Sequence, residues 1–377
     1  MKRKSSIILT TLLTLALVIS LVAIPTTAAT TYTAIDGSTT FETNLIIDAG
    51  TSVPTVTFAY SIAAGTPAAA TTTTIEILAS DVAATVGTAA FSSSDTTTAG
   101  TPDDATDAAH EYATKDVTVT FPAGSFTKPG VYRYVITQTT TNSDGVVVDT
   151  DTTRYLDVFV VANANDELSI EKFICRNVDS EQAINLDDQN YADNPDWTGI
   201  DPKSDGYTNS LTQYDLVFSK AITGNQGDKN KRFTFTLNIA DALPGTYVVE
   251  TTDVTGNPTS ITVGTGGTYE GTFDLTDGSS VTVKGLNAGA TYTVSEAEQD
   301  YTPSYIYNGG ASQDGDSYSD NTGIAADSSL AFTNERDGSI PTGIIMASAP
   351  YVIGLCLFGA VVIFMISRKK RQSVEEN

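Results

Sequence analysis

Residues 215–220 read Asp-Leu-Val-Phe-Ser-Lys and residues 329–334 read Ser-Leu-Ala-Phe-Thr-Asn. Successive side chains of a strand point to opposite faces. The first stretch therefore sets Leu216, Phe218 and Lys220 on one face, and the second sets Leu330, Phe332 and Asn334 on one face. A third stretch, 291–296, reads Thr-Tyr-Thr-Val-Ser-Glu and aligns Tyr292, Val294 and Glu296 in the same way. A lysine, an asparagine and a glutamate thus each stand where an inward residue is due. Any one of them is explained by an ordinary polar strand end. Three of complementary chemistry in one module point to a site.

The chemistry they suggest is self-catalysed amide formation. A lysine buried among Leu, Phe and Tyr has its ammonium form disfavoured, so a neutral, nucleophilic amine becomes accessible. A buried glutamic acid is pushed towards its protonated form and can donate to the Asn carboxamide oxygen. The same Glu296 can relay a proton to departing ammonia, while contact between the partners supplies proximity. The product would be an isopeptide bond from Lys220 to Asn334, spanning 114 positions.

Outward from this site the chain keeps the same character. Short alternating or apolar runs broken by Gly, Asn, Asp and Pro occur at 55–62, 116–121, 131–138, 155–161, 233–239 and 280–285, and no helical period is sustained between Thr30 and Gly338. This predicts an all-β chain of β-sandwich modules. A polar stretch from Asp187 to Gly206 places a domain boundary near residue 210, with long surface loops expected at 63–73 and 92–107.

Composition excludes several functions. The 377 residues carry 45 Asp and Glu against 20 Lys and Arg, a formal charge of −25, with no basic patch suited to nucleic acid. There is a single histidine, His110, and the two cysteines, Cys175 and Cys356, form no metal or redox motif. No metal and no cofactor is expected, and the ectodomain must do without an internal disulfide. Asp314-Gly315-Asp316 lacks the glycine and glutamate that a calcium loop needs at its sixth and twelfth positions.

The ends carry export signals. Met1-Lys2-Arg3-Lys4 precedes an apolar run from Ile7 to Ile24 and small residues through Ala29, the pattern of a signal peptide cut after Ala28 or Ala29, with an uncleaved anchor as the alternative. Residues 344–367 are apolar enough to span a bilayer, and Arg368-Lys369-Lys370-Arg371 marks the cytoplasmic side. Just before the span stands Ile340-Pro341-Thr342-Gly343. This motif, span and basic tail together resemble a sortase cell-wall sorting signal. The resemblance implies cleavage between Thr342 and Gly343. The motif lacks the spacer of the commoner Leu-Pro-x-Thr-Gly form and is closer to the Val-Pro-Thr-Gly of some streptococcal pilins.

The run Phe218-Ser-Lys-Ala-Ile-Thr-Gly-Asn-Gln-Gly-Asp-Lys-Asn-Lys231, the strand ending in Glu296 and the Ala331-Phe-Thr-Asn334 end resemble the C-terminal module of streptococcal-type backbone pilins. The resemblance implies two tandem immunoglobulin-like (Cna-B-like) β-sandwich domains, each with a Lys–Asn isopeptide bond and an assisting Glu. The expected layout is signal peptide 1–29, first domain 30–210, second domain 211–338 and sorting signal 339–377. It implies a structural subunit of a covalently polymerised, cell-wall-anchored surface pilus, with a sortase, neighbouring pilin subunits and peptidoglycan as partners. A host ligand would be a further partner that the residues do not identify. A monomeric wall-anchored adhesin of the same modules is the alternative. An anchored enzyme has only abundant carboxylates in its favour, and a solvated acidic surface accounts for them.

The first domain departs from the family pattern. Thr43 stands where the bonding lysine is due, Gln138 ends the strand due to carry the glutamate, and Asn209 matches the expected asparagine without either partner. The first domain is therefore expected to lack the bond, with Lys172 the substitute nucleophile should one form. Between Thr30 and Thr342 there are eight lysines, and Lys203, in Asp201-Pro-Lys-Ser-Asp-Gly206, lies close to the region where the resemblance implies the linking lysine. Lys128 and Lys115 are the alternatives, and a solvated loop lysine without a role is the bland reading of Lys203.

Overall fold

The computed structural model describes residues 31–71, 75–177, 204–252, 254–297 and 299–338. The signal peptide, Lys203, the sorting motif and the apolar span with its basic tail lie outside these residues.

Every regular element among the described residues is a strand. The first half of the chain contributes β1 (Ile35–Asp48), β2 (Val56–Phe58), β3 (Tyr60–Ala64), β4 (Ile77–Leu78), β5 (Thr85–Val86), β6 (Ala89–Phe91) and β7 (Thr98–Ala99). It continues with β8 (His110–Phe126), β9 (Gly130–Gln138), β10 (Val146–Val147), β11 (Thr153–Ala162), β12 (Leu168–Arg176) and β13 (Gly206–Leu211). Next come β14 (Gln213–Thr223), β15 (Phe233–Ala240), β16 (Gly245–Thr252), β17 (Ser260–Val263), β18 (Tyr269–Leu275) and β19 (Ser280–Asn287). The last are β20 (Thr291–Glu296), β21 (Thr302–Tyr307), β22 (Gln313–Asp314), β23 (Ser317–Asp320) and β24 (Ser328–Glu335).

Two pairs of sheets enclose two separate cores. One pair is ordered β10-β13-β1-β8-β5 and β12-β11-β9-β3, and the other β17-β16-β19-β14-β24-β21-β22 and β18-β15-β20-β23. Phe41, Leu45, Phe121, Tyr134, Ile136 and Val158 belong to the first core, and Phe218, Phe235, Leu237, Phe273, Val294 and Phe332 to the second. The side chains that build the second core alternate along β20 and β24, and along β14 from Leu216 onward after a register shift at Tyr214–Leu216, as period two requires. At about 1.5–3 kcal/mol for each fully buried large apolar side chain, a core of this size holds a sandwich together without a disulfide. Only Thr212 separates β13 from β14.

In both sandwiches the first and last strands lie side by side and parallel. β1 pairs with β13, with Thr43 opposite Tyr207 and Leu45 opposite Asn209. β14 pairs with β24, with Lys220 opposite Phe332 and Ile222 opposite Asn334. This closure puts a residue of the first strand next to one from the far end of the same domain.

The segments read from sequence as strands fall within strands except 55–62, which is split at Ala59 into β2 and β3, and their extents differ. The 116–121 segment lies inside the 17-residue β8, which starts at His110. The 92–107 segment is not wholly a loop: β7 pairs with β8, and Asp95 and Asp104 cap turns on either side of it by accepting from Ser92 N and Thr106 N, both at 2.9 Å. Strands β16, β17, β18, β21 and β23 went unread because their Thr, Gly and Ser content hides the alternation.

Candidate functional site

Lys220, Glu296 and Asn334 converge in the second sandwich. Each belongs to the inward-facing series of a different strand, Lys220 being followed in its own by the buried Ile222, and all three are buried, with Lys220 and Asn334 both 2 % exposed. Lys220 Nζ donates to Glu296 Oε2 at 2.8 Å and Oε1 at 3.0 Å. Asn334 Nδ2 donates to Glu296 Oε1. One carboxyl group therefore bridges the amine and the amide. The Nζ also lies 4.4 Å from the Phe233 ring centre and 5.7 Å from that of Phe235. These rings remove water from the amine, and burial lowers the Lys220 pKa from 10.5 to about 8 despite the opposing hydrogen bond to Glu296.

Asn334 Oδ1 is buried and accepts no hydrogen bond among the described residues. The two ends of an amide are assigned from their partners. Transfer of one proton along the Nζ–Glu296 contact gives a neutral amine and a neutral acid, and the turned amide then offers Oδ1 to the acid proton. That arrangement polarises the Asn334 carbon beside a nucleophile. A cavity of about 160 Å³, lined in part by Glu296, Ala297, Asp316 and Asn334, adjoins the site.

The first sandwich repeats the backbone of this site without its chemistry. Thr43 relates to Asn209 as Lys220 relates to Asn334, since each asparagine lies two residues beyond the parallel partner of the other residue. Gln138 is opposite Tyr60 just as Glu296 is opposite Phe235. Gln138 Nε2 donates to Asn209 Oδ1 at 2.7 Å, and Thr43 Oγ1 lies 2.6 Å from the Tyr60 hydroxyl. Thr43, Gln138 and Asn209 are all buried. Every one of these groups is neutral, and none is a competent amine nucleophile.

Two residues of this neutral site were missed from sequence. Tyr60 supplies a hydroxyl where the second domain has Phe235, and burial raises its pKa to about 12. Asp149 N donates to Asn209 Oδ1 at 3.1 Å, while Asp149 Oδ2 accepts from Arg154 and from Thr208 N. A tyrosine among apolar strand residues carries no such signal, and Asp149 lies outside any alternating run. The expectation for Lys172 is corrected. It is an exposed residue of β12 whose Nζ sits 4.8 Å over the Phe159 ring, so it is neither desolvated nor at the Gln138–Asn209 pair.

The alternative linking lysines differ in access. Lys115 Nζ is held by Asp95 at 2.6 Å, whereas Lys128 is 53 % exposed with Glu76 3.9 Å away.

Parts of the chain are similar to known proteins. Residues 50–187 match the Spy0128-like isopeptide containing domain, and residues 214–336 match a domain of unknown function, DUF7601. A pilin of Streptococcus pyogenes serotype M1 is 28% identical over 268 residues, covering 67% of this chain and 72% of that protein. The pilus tip adhesin Cpa of Streptococcus pyogenes is 33% identical over 134 residues, 34% of this chain and 18% of that protein. Among solved structures, the crystal structure of the major pilin from Streptococcus pyogenes covers 80% of this chain and 99% of that chain, at 21% identity and a TM-score of 0.49. The isopeptide-domain match falls on the half of the chain whose site is neutral, and its range includes neither Thr43 nor Asn209.

Proposed function

We propose that this chain, a relative of the streptococcal pilins, is a structural subunit of a covalently polymerised, cell-wall-anchored surface pilus. The observation that carries the reading is the buried contact of Glu296 with both Lys220 and Asn334. In the internal reaction the neutral Lys220 Nζ attacks the Asn334 side-chain carbon and the new C–N bond forms. Glu296 takes a proton from the amine and delivers it to the amide nitrogen, the old C–N bond breaks, and ammonia leaves. The folded domain is both catalyst and substrate, so the chain is not an enzyme in the ordinary sense.

The bond would tie the first strand of the second domain to its last. A pull on the C-terminal end would then pass from Asn334 straight into β14 and bypass the sandwich. The proposed domain division near residue 210 is supported by the two cores, with Leu211 still in β13 and the first core and Thr212 alone joining β13 to β14.

Export, sortase cleavage between Thr342 and Gly343, joining to Lys203 of a neighbouring subunit and final attachment to peptidoglycan complete the proposal. They rest on the sequence signals at the two ends and on the pilin relative. The monomeric adhesin is the weaker reading, because the tip adhesin shares only 18% of its length with this chain.

Intact-mass measurement tests the internal bond. The ectodomain should weigh one ammonia less than its sequence, and the Lys220→Ala and Asn334→Ala variants should show no deficit. No deficit in the native chain removes the site, and a deficit of two overturns the neutral reading of the first domain. Lys203→Arg should abolish the polymer ladder in wall extracts; an intact ladder excludes that lysine.

A further inference from the structure

The turn between β14 and β15, Thr223-Gly-Asn-Gln-Gly-Asp-Lys-Asn-Lys231, has no part in the amide chemistry. It closes instead around the residues that follow Asn334. The paired register of β14 and β24 stops at Thr223 and Glu335, yet hydrogen bonding continues past it. Arg336 N donates to Thr223 O at 3.1 Å, and Gln226 N donates to Arg336 O at 3.0 Å. Gly224, at φ +87°, permits this approach, because a Cβ there would meet the Arg336 backbone.

Asn225 then takes the place of a neighbouring strand. Its backbone N donates to Asp337 Oδ1 at 2.9 Å. Its side-chain Nδ2 donates to Gly338 O at 2.9 Å, and its Oδ1 accepts from Gly338 N at 2.7 Å. A single carboxamide satisfies both backbone groups of Gly338. The turn is itself anchored, with Lys229 Nζ 2.9 Å from Asp277 and Asp228 N donating to the Tyr301 hydroxyl at 3.1 Å.

Residues 335–338 lie beyond Asn334, outside the loop that the internal bond closes. Thr342 follows Gly338 by four positions and Asn334 by eight. At about 3.3–3.6 Å per extended residue, four residues reach at most ~14 Å and eight reach about twice as far.

We propose that Asn225 is a positioning residue for subunit joining: it clips the chain at Gly338 and sets the short reach of Thr342, and with it the lysine of a second copy of this chain that Thr342 can meet. The proposal rests on the reading of Thr342 as the joining residue. In that step the Thr342–Gly343 amide breaks, the Thr342 carbonyl forms an amide with a lysine Nζ, and Gly343 leaves as a new amino terminus. The sortase that carries the acyl group is regenerated.

The test compares the full chain with its Asn225→Asp and Asn225→Ala variants. Amide exchange at Gly338 should accelerate about tenfold in Asn225→Ala, as the loss of a hydrogen bond implies. The effect should be smaller in Asn225→Asp, which keeps the acceptor for Gly338 N. Exchange at Phe332 and the one-ammonia mass deficit should not change. Peptide mapping of sortase-joined dimers should find one joined lysine in the native chain and more than one in Asn225→Ala. Unchanged exchange at Gly338, faster exchange with an unchanged joined lysine, or loss of the mass deficit in Asn225→Ala each overturns the proposal. Failure of the native chain to join through Thr342 overturns the pilus reading instead, and is recognised because all three chains then fail alike.

Discussion

Thr43 and Tyr60 share a hydrogen bond of 2.6 Å at the place that strand register assigns to Lys220 and Phe235 in the second domain. The first domain thus has the strand register and the asparagine of the second domain's site, with the neutral Thr43 and Gln138 at the other two positions. Tyr60 adds a third difference, because its hydroxyl occupies the region that a lysine side chain would have to enter. A buried lysine without its glutamate, or a glutamate without its lysine, would leave an uncompensated charge. Neutral, mutually hydrogen-bonded groups avoid that penalty.

Thr43→Lys combined with Gln138→Glu and Tyr60→Phe should re-arm this site. The expected outcome is a second ammonia deficit in the intact mass, with Asn209 as the acceptor. The pair without Tyr60→Phe should crosslink more slowly, since the hydroxyl then competes for Glu and for space. A crosslink here would close a loop of well over a hundred residues, which by analogy with disulfides stabilises by about 5 kcal/mol. A folded triple variant with only one deficit would show that register alone does not make the site.

The rate of internal crosslinking should depend on pH through Lys220. With its pKa lowered to about 8, the neutral amine should grow about tenfold per unit below pH 8 and level off above it. Time-resolved intact mass after folding at several pH values measures this. In the Asn334→Ala variant the lysine stays unreacted. Its folded pKa lies below the ordinary 10.5, so between about pH 8 and 10.5 the unfolded chain binds more protons. Stability of that variant should therefore rise with pH across that window, and denaturant titrations at either end would expose the opposite sign.

Asp157 should be the most sensitive charged residue of the first domain. It is fully buried, and its carboxylate accepts from Arg133 Nε at 2.7 Å and from Arg176 Nε at 3.0 Å, tying β9, β11 and β12 together. Asp157→Ala leaves two buried guanidinium groups without the carboxylate they share and should cost about 3–5 kcal/mol in a denaturant titration of the ectodomain. Because no covalent staple holds this domain in the proposed reading, the loss should appear as earlier unfolding of the first domain alone. A change below 1 kcal/mol, the range of a surface pair, would contradict it.

Lys220, Glu296 and Asn334 were legible in the sequence because each falls in a period-two series, and a strand that hides Leu216 and Phe218 must also hide Lys220. Thr43, Gln138 and Asn209 were legible for the same reason, as departures from a recognisable pattern. Tyr60 and Asn225 were not. A tyrosine reads as core whether or not its hydroxyl replaces a lysine amine. Asn225 reads as a turn residue, and the backbone it clips lies 113 positions away.

Local alternation thus determined that the described residues form strands, and which polar side chains turn inward. Those properties depend on neighbours along the chain, where the period of a strand is set by covalent geometry. The tertiary structure decided which inward residues meet. The parallel pairing of first and last strands brings Lys220 to Asn334 and, in the same register, Thr43 to Asn209. It also decided that one such meeting is an amine against an acid and an amide, while the other is a set of neutral hydrogen bonds. That outcome turns on distances of a few ångströms between residues far apart in the chain, which only the packing of two sheets can set.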